Sequence, residues 1–419
     1  MAAARAVREI DLREYATSAP LTLSVDERDA LLARKDLGLA VAPVMETADR
    51  YTLTPGSVVG AVEIGGLSVR ITPKIGIGQL LSLACYAIGK VEFQASEFDF
   101  PEHSALPDAL ALAFGAAARR AFSRGLLHGY RTEEDALPAV RGRVRFDDQM
   151  RRRFGIPLPV ELRYDEFTAD ILLNRLVKAA AHRLGRLELR SREARNRVAW
   201  VAESLRDVSL AAIPPGDVPE VGFDRLNGHY RGVVALARLV LRHGAFEAGR
   251  GKVRAPGFLM DMNQVFQEFV TVALRECLEL SEHSFRSDDR LSGDYRVHLD
   301  EADRVGLRPD LSWWEDRICT FVGDAKYKRT KNERAPNADL YQMLAYASAL
   351  DLPGGLLIYA EGDPEGGAGS YRVRHAGKHL HVATLDLAGP IANLKGEIGI
   401  LAAQVRGFRR TALDRRRGA

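Results

Sequence analysis

Residues 308–326 read RPDLSWWEDRICTFVGDAK, and this stretch decides the expected fold. Asp310 borders one apolar segment, Asp324 ends the next, and Lys326 follows two residues later. If two adjacent strands carry these segments, the two carboxylates lie close enough to share a divalent cation. Because side chains alternate along a strand, Lys326 points to the same sheet face as Asp324. The spacing therefore predicts two acids and one ammonium group at one place on a sheet.

These residue types suit the hydrolysis of a phosphodiester. A bound divalent metal neutralises charge on the phosphoryl oxygens and makes a water nucleophilic near neutral pH. Asp310 and Asp324 are the candidate ligands of Mg²⁺, with Mn²⁺ as an alternative. The ammonium of Lys326 would stand beside the scissile phosphate and help orient or deprotonate the water. The segment therefore predicts a metal-dependent phosphodiesterase that needs no covalent intermediate.

A second interpretation of the acid-x-Lys triplet stays open, because such triplets also occur by chance. Only 10 of the 59 basic residues are lysine, yet Lys326, Lys328 and Lys331 lie together, which favours a functional lysine. The alternative is a solvated basic strand end with Asp324 in a surface ion pair.

The residues after the lysines predict a helix over 337–350, since apolar residues recur there at helical spacing. Gln342 and Tyr346 lie four positions apart and so share one stripe of this helix. They can orient a metal-bound water or a phosphate, which makes Gln342 a candidate catalytic residue. Alternatively, the pair is simply buried and satisfies backbone groups.

Asp310, Asp324, Lys326 and the pair Gln342 and Tyr346 together resemble the PD-(D/E)xK nuclease superfamily. The resemblance implies a small mixed sheet flanked by helices, in the order helix, three strands, helix, strand. It also implies the carbonyl of Ala325 as a further metal ligand. The apolar patterns agree with that order. They predict helices over 261–278 and 337–350, and strands over 284–299, 307–311, 317–325 and 355–359.

Further sequence blocks narrow the resemblance to the McrC family, the nuclease subunit of the McrBC modified-cytosine restriction system. The likeness runs from about residue 50 to 360. It is carried by LSVRITPKI (67–75), RGRV (141–144), YDEFT (164–168) with Asp170, and NRL (174–176). It implies an endonuclease that cuts double-stranded DNA together with an McrB-like AAA+ GTPase oligomer, which recognises methylated DNA. It also implies that the N-terminal domain docks on the GTPase ring and stimulates it.

The chain departs from the family in its first nuclease helix, where an acid commonly follows the aromatic residue. Here Phe266 is followed by Gln267, and Glu268 comes one step later, about 100° further round the helix. Glu268 is therefore either a substitute third ligand or a surface charge.

Length and composition agree with a soluble two-domain enzyme, and the resemblance together with the apolar patterns implies a mixed α+β or α/β class. The 419 residues are 46% hydrophobic and carry a net charge of only +3, so the basic residues act through local clusters and not through the charge of the whole chain.

A hairpin over 51–74 is expected to turn at Gly65 and Gly66, and the arginine-rich end is expected to be disordered. The expected domains are a mixed partner-binding domain over 1–165, a helical connector over 166–250 and a PD-(D/E)xK nuclease domain over 251–419.

Several classes of protein are excluded by what the sequence lacks. No apolar run is long enough to span a membrane and no secretory leader is recognisable, which predicts a cytoplasmic protein without a membrane partner. Cys85, Cys277 and Cys319 are isolated, so no zinc site, iron-sulfur cluster or disulfide is expected. The sequence also has no Gly-x-x-x-x-Gly-Lys-Ser/Thr motif, so any NTP hydrolysis comes from a partner.

Residues 119–153 form the densest arginine region, with Tyr130 and Phe146 inside it and Phe154 directly after it. Arginine side chains can grip DNA phosphates or reach into a neighbouring NTPase site. The family resemblance favours the NTPase partner. A solvated face whose arginines are balanced by nearby acids remains the alternative.

The function expected from these features is that of a Mg²⁺-dependent DNA endonuclease subunit in a GTP-dependent, modification-dependent restriction system. Because one such site cuts one strand, a double-strand break needs two copies brought together. Two alternatives stay open: a stand-alone repair or processing nuclease, and a noncatalytic activator of an AAA+ partner. Digestion of DNA by the purified chain with Mg²⁺ alone would favour the first. If a cell that carries Asp324→Ala is still protected from phage or modified DNA, the second is favoured.

Overall fold

The computed structural model describes residues 8–45, 49–91, 105–154, 156–245, 248–249, 252–253, 257–288, 291–329, 335–361, 369–389 and 391–418. The chain is a mixed α+β protein with several sheets. It divides into unit 1, Met1–Leu106 with Leu259–Ala419, and unit 2, Pro107–Phe258. These boundaries differ from the predicted ones at 165 and 250, because the N-terminal segment packs on the C-terminal part of the chain. The roles assigned to the predicted domains stay predictions.

The N-terminal part of unit 1 consists of six strands and two α-helices in the residues that the structure describes. Its elements are β1 (Arg8–Arg13), β2 (Leu21–Thr22), α1 (Val25–Ala33), β3 (Leu39–Pro43), β4 (Arg50–Pro55), β5 (Val58–Ile64), β6 (Leu67–Thr72) and α2 (Ile77–Gly89). β6 pairs in parallel with β1 and antiparallel with β5. The β5–β6 hairpin turns at Gly65 (φ 57°) and Gly66 (φ 87°), which confirms the predicted turn of positive φ.

Unit 2 combines a three-stranded antiparallel sheet with packed helices. Its elements are α3 (Leu106–Phe122), β7 (Gly129–Leu137), β8 (Arg143–Val144), α4 (Phe146–Arg153), β9 (Val160–Thr168), α5 (Leu172–Leu184), α6 (Arg192–Ser204), α7 (Arg231–His243), β10 (Gly244–Ala245), β11 (Ala248–Gly249) and β12 (Lys252–Val253). Buried Asp170 joins sheet to helices, accepting hydrogen bonds from Arg175, Ser209 and Arg131. These donors, Arg175 first, hold the pKa of Asp170 well below its usual range.

The C-terminal part of unit 1 contains a six-stranded sheet in the order β14-β17-β18-β19-β21-β20. Its elements are β13 (Gly257–Asp261), α8 (Met262–Cys277), β14 (Phe285–Arg286), β15 (Val297–His298), β16 (Gly306–Leu307), β17 (Leu311–Glu315), β18 (Ile318–Arg329), α9 (Asn337–Ala349), β19 (Gly354–Glu361), β20 (Gly369–Arg372), β21 (His379–Thr384) and α10 (Ile391–Arg417). Helices α8 and α10 pack on β18, and α9 packs on β19. The approach of α9 requires a glycine at Gly355, where a Cβ would lie 2.2 Å from Met343 Sδ.

Along the chain, α8, β14, β17, β18, α9 and β19 follow the predicted order of helix, three strands, helix and strand. The predicted continuous strand over 284–299 is wrong. Two short strands, β14 and β15, lie there instead, and β15 pairs with β16 in a separate two-stranded sheet. Within the described ranges no helix has both the length and the apolar character needed to cross a bilayer.

The predicted disorder of the arginine-rich end is also wrong for the residues up to Arg417. Helix α10 continues through them, since its apolar side chains pack on α8 and β18. The ring of Phe408 lies 5.8 Å from that of Phe321, and Ala412 is buried. Arg409 in addition forms an ion pair with Glu315.

Candidate active site

Strands β17 and β18 bring Asp310 and Asp324 to one place. The two strands form an antiparallel hairpin in which Leu311 lies opposite Gly323, so that Asp310, just before β17, comes beside the residues that follow Gly323. The backbone amide of Ala325 donates a hydrogen bond to Asp310 Oδ2 at 2.9 Å. The two acids singled out from the sequence are therefore neighbours in the structure.

Asp324 is withdrawn from water, and Asp310 is half-buried. Asp324 is only 1% exposed, and its Oδ1 has no hydrogen-bond donor among the described residues. Burial and the charge of Asp324 raise the pKa of Asp310 to about 8. Burial also raises the pKa of Asp324, although Lys326 acts in the opposite direction. A cation bound between the two carboxylates would stabilise both ionised forms.

Lys326 lies on the same face as Asp324 and forms an ion pair with it. Burial lowers the pKa of Lys326, but the charges of Asp324, Asp310 and Asp339 outweigh burial and raise it overall. Lys326 thus places a positive charge next to the two carboxylates, and its help in orienting or deprotonating a water stays a prediction.

A second ion pair lies two residues further along β18. Lys328 Nζ lies 2.7 Å from Asp339 Oδ2, and Tyr359 Oη donates to the same oxygen at 2.7 Å. Asp339 is 5% exposed and adds a third negative charge near the site, because its charge acts on both Asp324 and Lys326. The sequence analysis does not identify this role, since an acid in the first turn of a helix is commonly there for the helix terminus. Lys331, the third lysine of the cluster, falls outside the described residues.

Gln342 and Tyr346 act on the backbone that leads into Asp310. Gln342 Nε2 donates to Tyr346 Oη at 2.8 Å, and Tyr346 Oη donates to the carbonyl of Arg308 at 2.9 Å. Burial and the charges of Asp324 and Asp310 raise the pKa of Tyr346, so its hydroxyl remains a donor. The pair thus satisfies a backbone group, which is the second of the two expected roles. A contact of Gln342 with water or phosphate stays a prediction.

Helix α8 presents an amide, not an acid, toward the loop after β14. Gln267 Nε2 donates to Asp288 Oδ1 at 3.2 Å, while Glu268 Oε1 accepts from Gln264 on its own helix at 3.0 Å. Both interpretations of Glu268, substitute ligand and surface charge, stay open. Asp288, which the sequence analysis does not single out, contributes to the raised pKa of Tyr346 and so lies near the site.

The donor set fits a small, hard divalent cation. Asp310 and Asp324 offer carboxylate oxygens next to the backbone of Ala325, and one of these oxygens has no hydrogen-bond donor in the described part of the chain. Mg²⁺ is commonly bound through one or two carboxylates while it keeps several waters. Across the described ranges no three His, Cys, Asp or Glu side chains form a metal-binding group, so two carboxylates are what the site provides.

Substitution of Asp310 by asparagine is expected to stabilise the metal-free protein at high pH. The folded pKa of Asp310, about 8, lies above the value of about 4 for a free carboxyl, so stability is lost as pH rises through this window. Asp310→Asn cannot ionise and so avoids this loss, which raises its free energy of unfolding at pH 8 by about 1–3 kcal/mol relative to the wild type. The amide oxygen of the asparagine can still accept the hydrogen bond from the backbone amide of Ala325. Thermal unfolding in EDTA at pH 5 and pH 8 measures the effect. A gain of equal size at both pH values would contradict it.

The arginine-rich region lies in unit 2, where several arginines are paired with nearby acids. Arg145 contacts Glu134 at 2.9 Å, and Arg153 contacts Glu161 at 3.1 Å. For these two side chains the balanced-face alternative agrees with the structure. The aromatic side chains of the module from β7 to β9 are exposed, by 78% at Tyr130, 74% at Phe146, 88% at Phe154 and 61% at Phe167.

The fold is similar to that of a solved restriction complex. A chain of the refined half-complex from the tetradecameric assembly of Thermococcus gammatolerans McrB AAA+ hexamers with bound McrC aligns with a TM-score of 0.55 at 16% identity, covering 97% of this chain and 99% of that one. A chain from the cryo-EM structure of the T. gammatolerans McrBC complex aligns with a TM-score of 0.43 at 16% identity, covering 64% and 88%. No curated protein matches the sequence.

The sequence itself identifies the family. Residues 53–360 match the family described as McrBC 5-methylcytosine restriction system component, nearly the range over which the McrC resemblance was expected. This match covers more than half of the chain and includes both predicted ligands, Lys326 and the pair on α9. The chain therefore belongs to the McrBC 5-methylcytosine restriction system component family.

Proposed function

We propose that this chain is the Mg²⁺-dependent DNA endonuclease subunit of a GTP-dependent, modification-dependent restriction system. The observation that carries the proposal is the cluster of buried Asp324 with half-buried Asp310 and Lys326 in a member of the McrBC family. The order of elements around the cluster supports a PD-(D/E)xK nuclease core. A pair of adjacent buried acids has no structural advantage by itself, because burial and mutual repulsion destabilise the ionised forms.

In the proposed mechanism, Asp310, Asp324 and the carbonyl of Ala325 would hold Mg²⁺, or Mn²⁺ in its place. When bound, the ion would neutralise charge on the phosphoryl oxygens and lower the pKa of a water. Lys326 places its ammonium beside the scissile phosphate and stabilises the negative charge that develops on the phosphoryl oxygens. Tyr346, supported by Gln342, holds the backbone before Asp310 and keeps this carboxylate in place.

The proposal includes docking on an AAA+ GTPase partner, which the chain would stimulate. The solved complex to which this fold is similar contains McrB AAA+ hexamers with bound McrC. In this chain, the module from β7 to β9 carries exposed Tyr130, Phe146, Phe154 and Phe167 among arginines. Aromatic and arginine side chains are the types most enriched at the centres of protein interfaces. We assign partner docking to this module.

Double-stranded DNA is the proposed substrate, and two copies would act together. The site has one pair of metal-binding carboxylates and one lysine, which suffices for one strand. A double-strand break therefore needs a second site of opposite orientation, supplied by a second copy.

Cleavage by the purified chain with its AAA+ partner tests this function. With GTP and Mg²⁺, we expect DNA containing 5-methylcytosine to be cut and unmodified DNA of the same sequence to stay intact. EDTA should abolish cutting, and Mg²⁺ or Mn²⁺ added in excess should restore it, because the two carboxylates need a cation to act. Cutting with Mg²⁺ alone, indifferent to the partner, would indicate a stand-alone nuclease. Stimulated GTP hydrolysis without any cutting would indicate a noncatalytic activator.

A further inference from the structure

The pairing of β18 with β19 becomes irregular just after Lys326. The parallel register joins residues 323–326 of β18 to residues 356–359 of β19, and it resumes with a shift at Arg329 and Glu361. Pairing of β18 with β17 ends at Gly323. The two positions after Lys326 therefore lie where the regular ladder lapses. Another contact has to fix the backbone there if Lys326 and Lys328 are to keep their positions.

Tyr327 occupies this interval and points away from the lysines. Side chains alternate along a strand, so Lys326 and Lys328 share one face and Tyr327 takes the other. Tyr327 is fully buried, and its ring lies 6.2 Å from that of Phe266 on α8. The ammonium of Lys74 lies 4.1 Å from the centre of the Tyr327 ring, within the range of a cation–π contact.

The segment after β1 holds Tyr327 at both its backbone and its side chain. Tyr15 Oη donates to the carbonyl of Tyr327 at 3.2 Å. Tyr327 Oη donates to Glu14 Oε2 at 3.4 Å, and the same carboxylate oxygen accepts from the backbone amide of Lys74 at 3.0 Å. Glu14 is only 4% exposed, so its hydrogen bonds are made away from water, where losing one leaves a costly unsatisfied group.

The backbone at Tyr15 is strained, which is a second and independent observation. Its φ of 57° lies in the left-handed region, which a tyrosine adopts at a cost of about 1–2 kcal/mol. Such a conformation persists where the surrounding structure over-determines it, and it is more common at functional sites than elsewhere. Here the conformation places Tyr15 so that its hydroxyl reaches the carbonyl of Tyr327.

We propose that Glu14 and Tyr15 are positioning residues for the nuclease site. They hold the interval of β18 that lacks regular pairing, and through Tyr327 they keep Lys326 at Asp324 and Lys328 at Asp339. This inference rests on the proposed nuclease function. It assigns to the N-terminal segment of unit 1 a positioning role in cleavage, separate from any role in partner docking.

Tyr15→Phe and Glu14→Gln test the proposal, with Tyr51→Phe as the matched control. Tyr51 is an N-terminal tyrosine on β4 whose hydroxyl accepts a hydrogen bond from Arg28 at 3.3 Å, so this control also loses one hydroxyl contact. In the full chain without metal, we expect both test variants to speed hydrogen exchange of the peptide spanning 323–329 by about fivefold or more. With partner, GTP and Mg²⁺, we expect kcat for cleavage to fall about tenfold with KM nearly unchanged. Stimulation of GTP hydrolysis should stay at the wild-type level.

The two measurements separate failure of this inference from failure of the proposed function. If the wild-type chain cuts no DNA, the nuclease proposal fails, and the exchange of 323–329 still shows whether Glu14 and Tyr15 hold β18. If exchange in the two variants equals that of Tyr51→Phe, the inference is wrong. It is also wrong if exchange quickens while kcat stays at the wild-type value.

Discussion

Replacing Asp324 by asparagine is expected to lower the rate of DNA cleavage by about 10²–10³-fold or more. Asparagine keeps the volume of the side chain but removes one of the two charges that we propose hold the cation, so the site would bind the ion more weakly and stabilise the phosphate less. The same variant should stimulate GTP hydrolysis by the AAA+ partner at the wild-type level. Gel assays of cleavage and measurements of phosphate release, made on one preparation, check both parts.

Asp316→Asn is the matched control for this prediction. Asp316 is exposed in the turn of the same β17–β18 hairpin and has a φ of 45°, which asparagine tolerates well. The control should cut DNA at the wild-type rate. If Asp324→Asn still cuts as fast as Asp316→Asn, the assignment of the active site is wrong. If both variants lose cleavage, the hairpin and not the metal ligand is responsible.

The second large effect is expected from the double variant Phe146→Asp and Phe154→Asp. The two rings are 74% and 88% exposed, so folding should change little, whereas a docked partner would bury them. If each ring anchors the interface by about 1.4–2 kcal/mol, affinity for the AAA+ partner falls by about 100-fold or more. Titration of GTPase stimulation against the concentration of the variant measures this change.

Leu226→Asp provides the comparison for the docking variant. Leu226 is 75% exposed in the same unit but lies outside the module from β7 to β9, so it should bind the partner normally. Equal stimulation by the double variant and by Leu226→Asp would refute docking through this module. Metal binding by the double variant should be unchanged, because Asp310 and Asp324 belong to the other unit.

The sequence predicts the local part of the site well because that part depends on short-range patterns. The apolar segments next to Asp310 and Asp324 form the two adjacent strands that the sequence analysis expects, and Lys326 follows Asp324 onto the same face, as alternation predicts. The order of helices and strands around them also follows from periodicity. The predicted disorder of the arginine-rich end is wrong. The run of charged residues suggested a solvated segment, although apolar residues between them pack α10 against its neighbours.

The roles of Tyr346, Asp288 and Asp339 could not be predicted from the sequence in the same way. Helical spacing relates Gln342 to Tyr346, but only packing of α9 brings the Tyr346 hydroxyl to the carbonyl of Arg308. Asp339 looks like an ordinary first-turn acid until it is seen with Lys328 and Tyr359. Each such contact joins separate elements whose relative placement is set by burial of apolar surface.

The sequence by itself determined the family, the two acids and the lysine of the candidate site, and the elements next to them. These depend on residue type and on spacing within one hairpin. Only the tertiary structure decided that residues 1–106 pack with 259–419, and that Glu14 contacts Tyr327 across 313 positions of sequence. The physical reason is that periodicity shows which face of an element is apolar but not which other apolar face will cover it. That choice is made by packing over the whole chain.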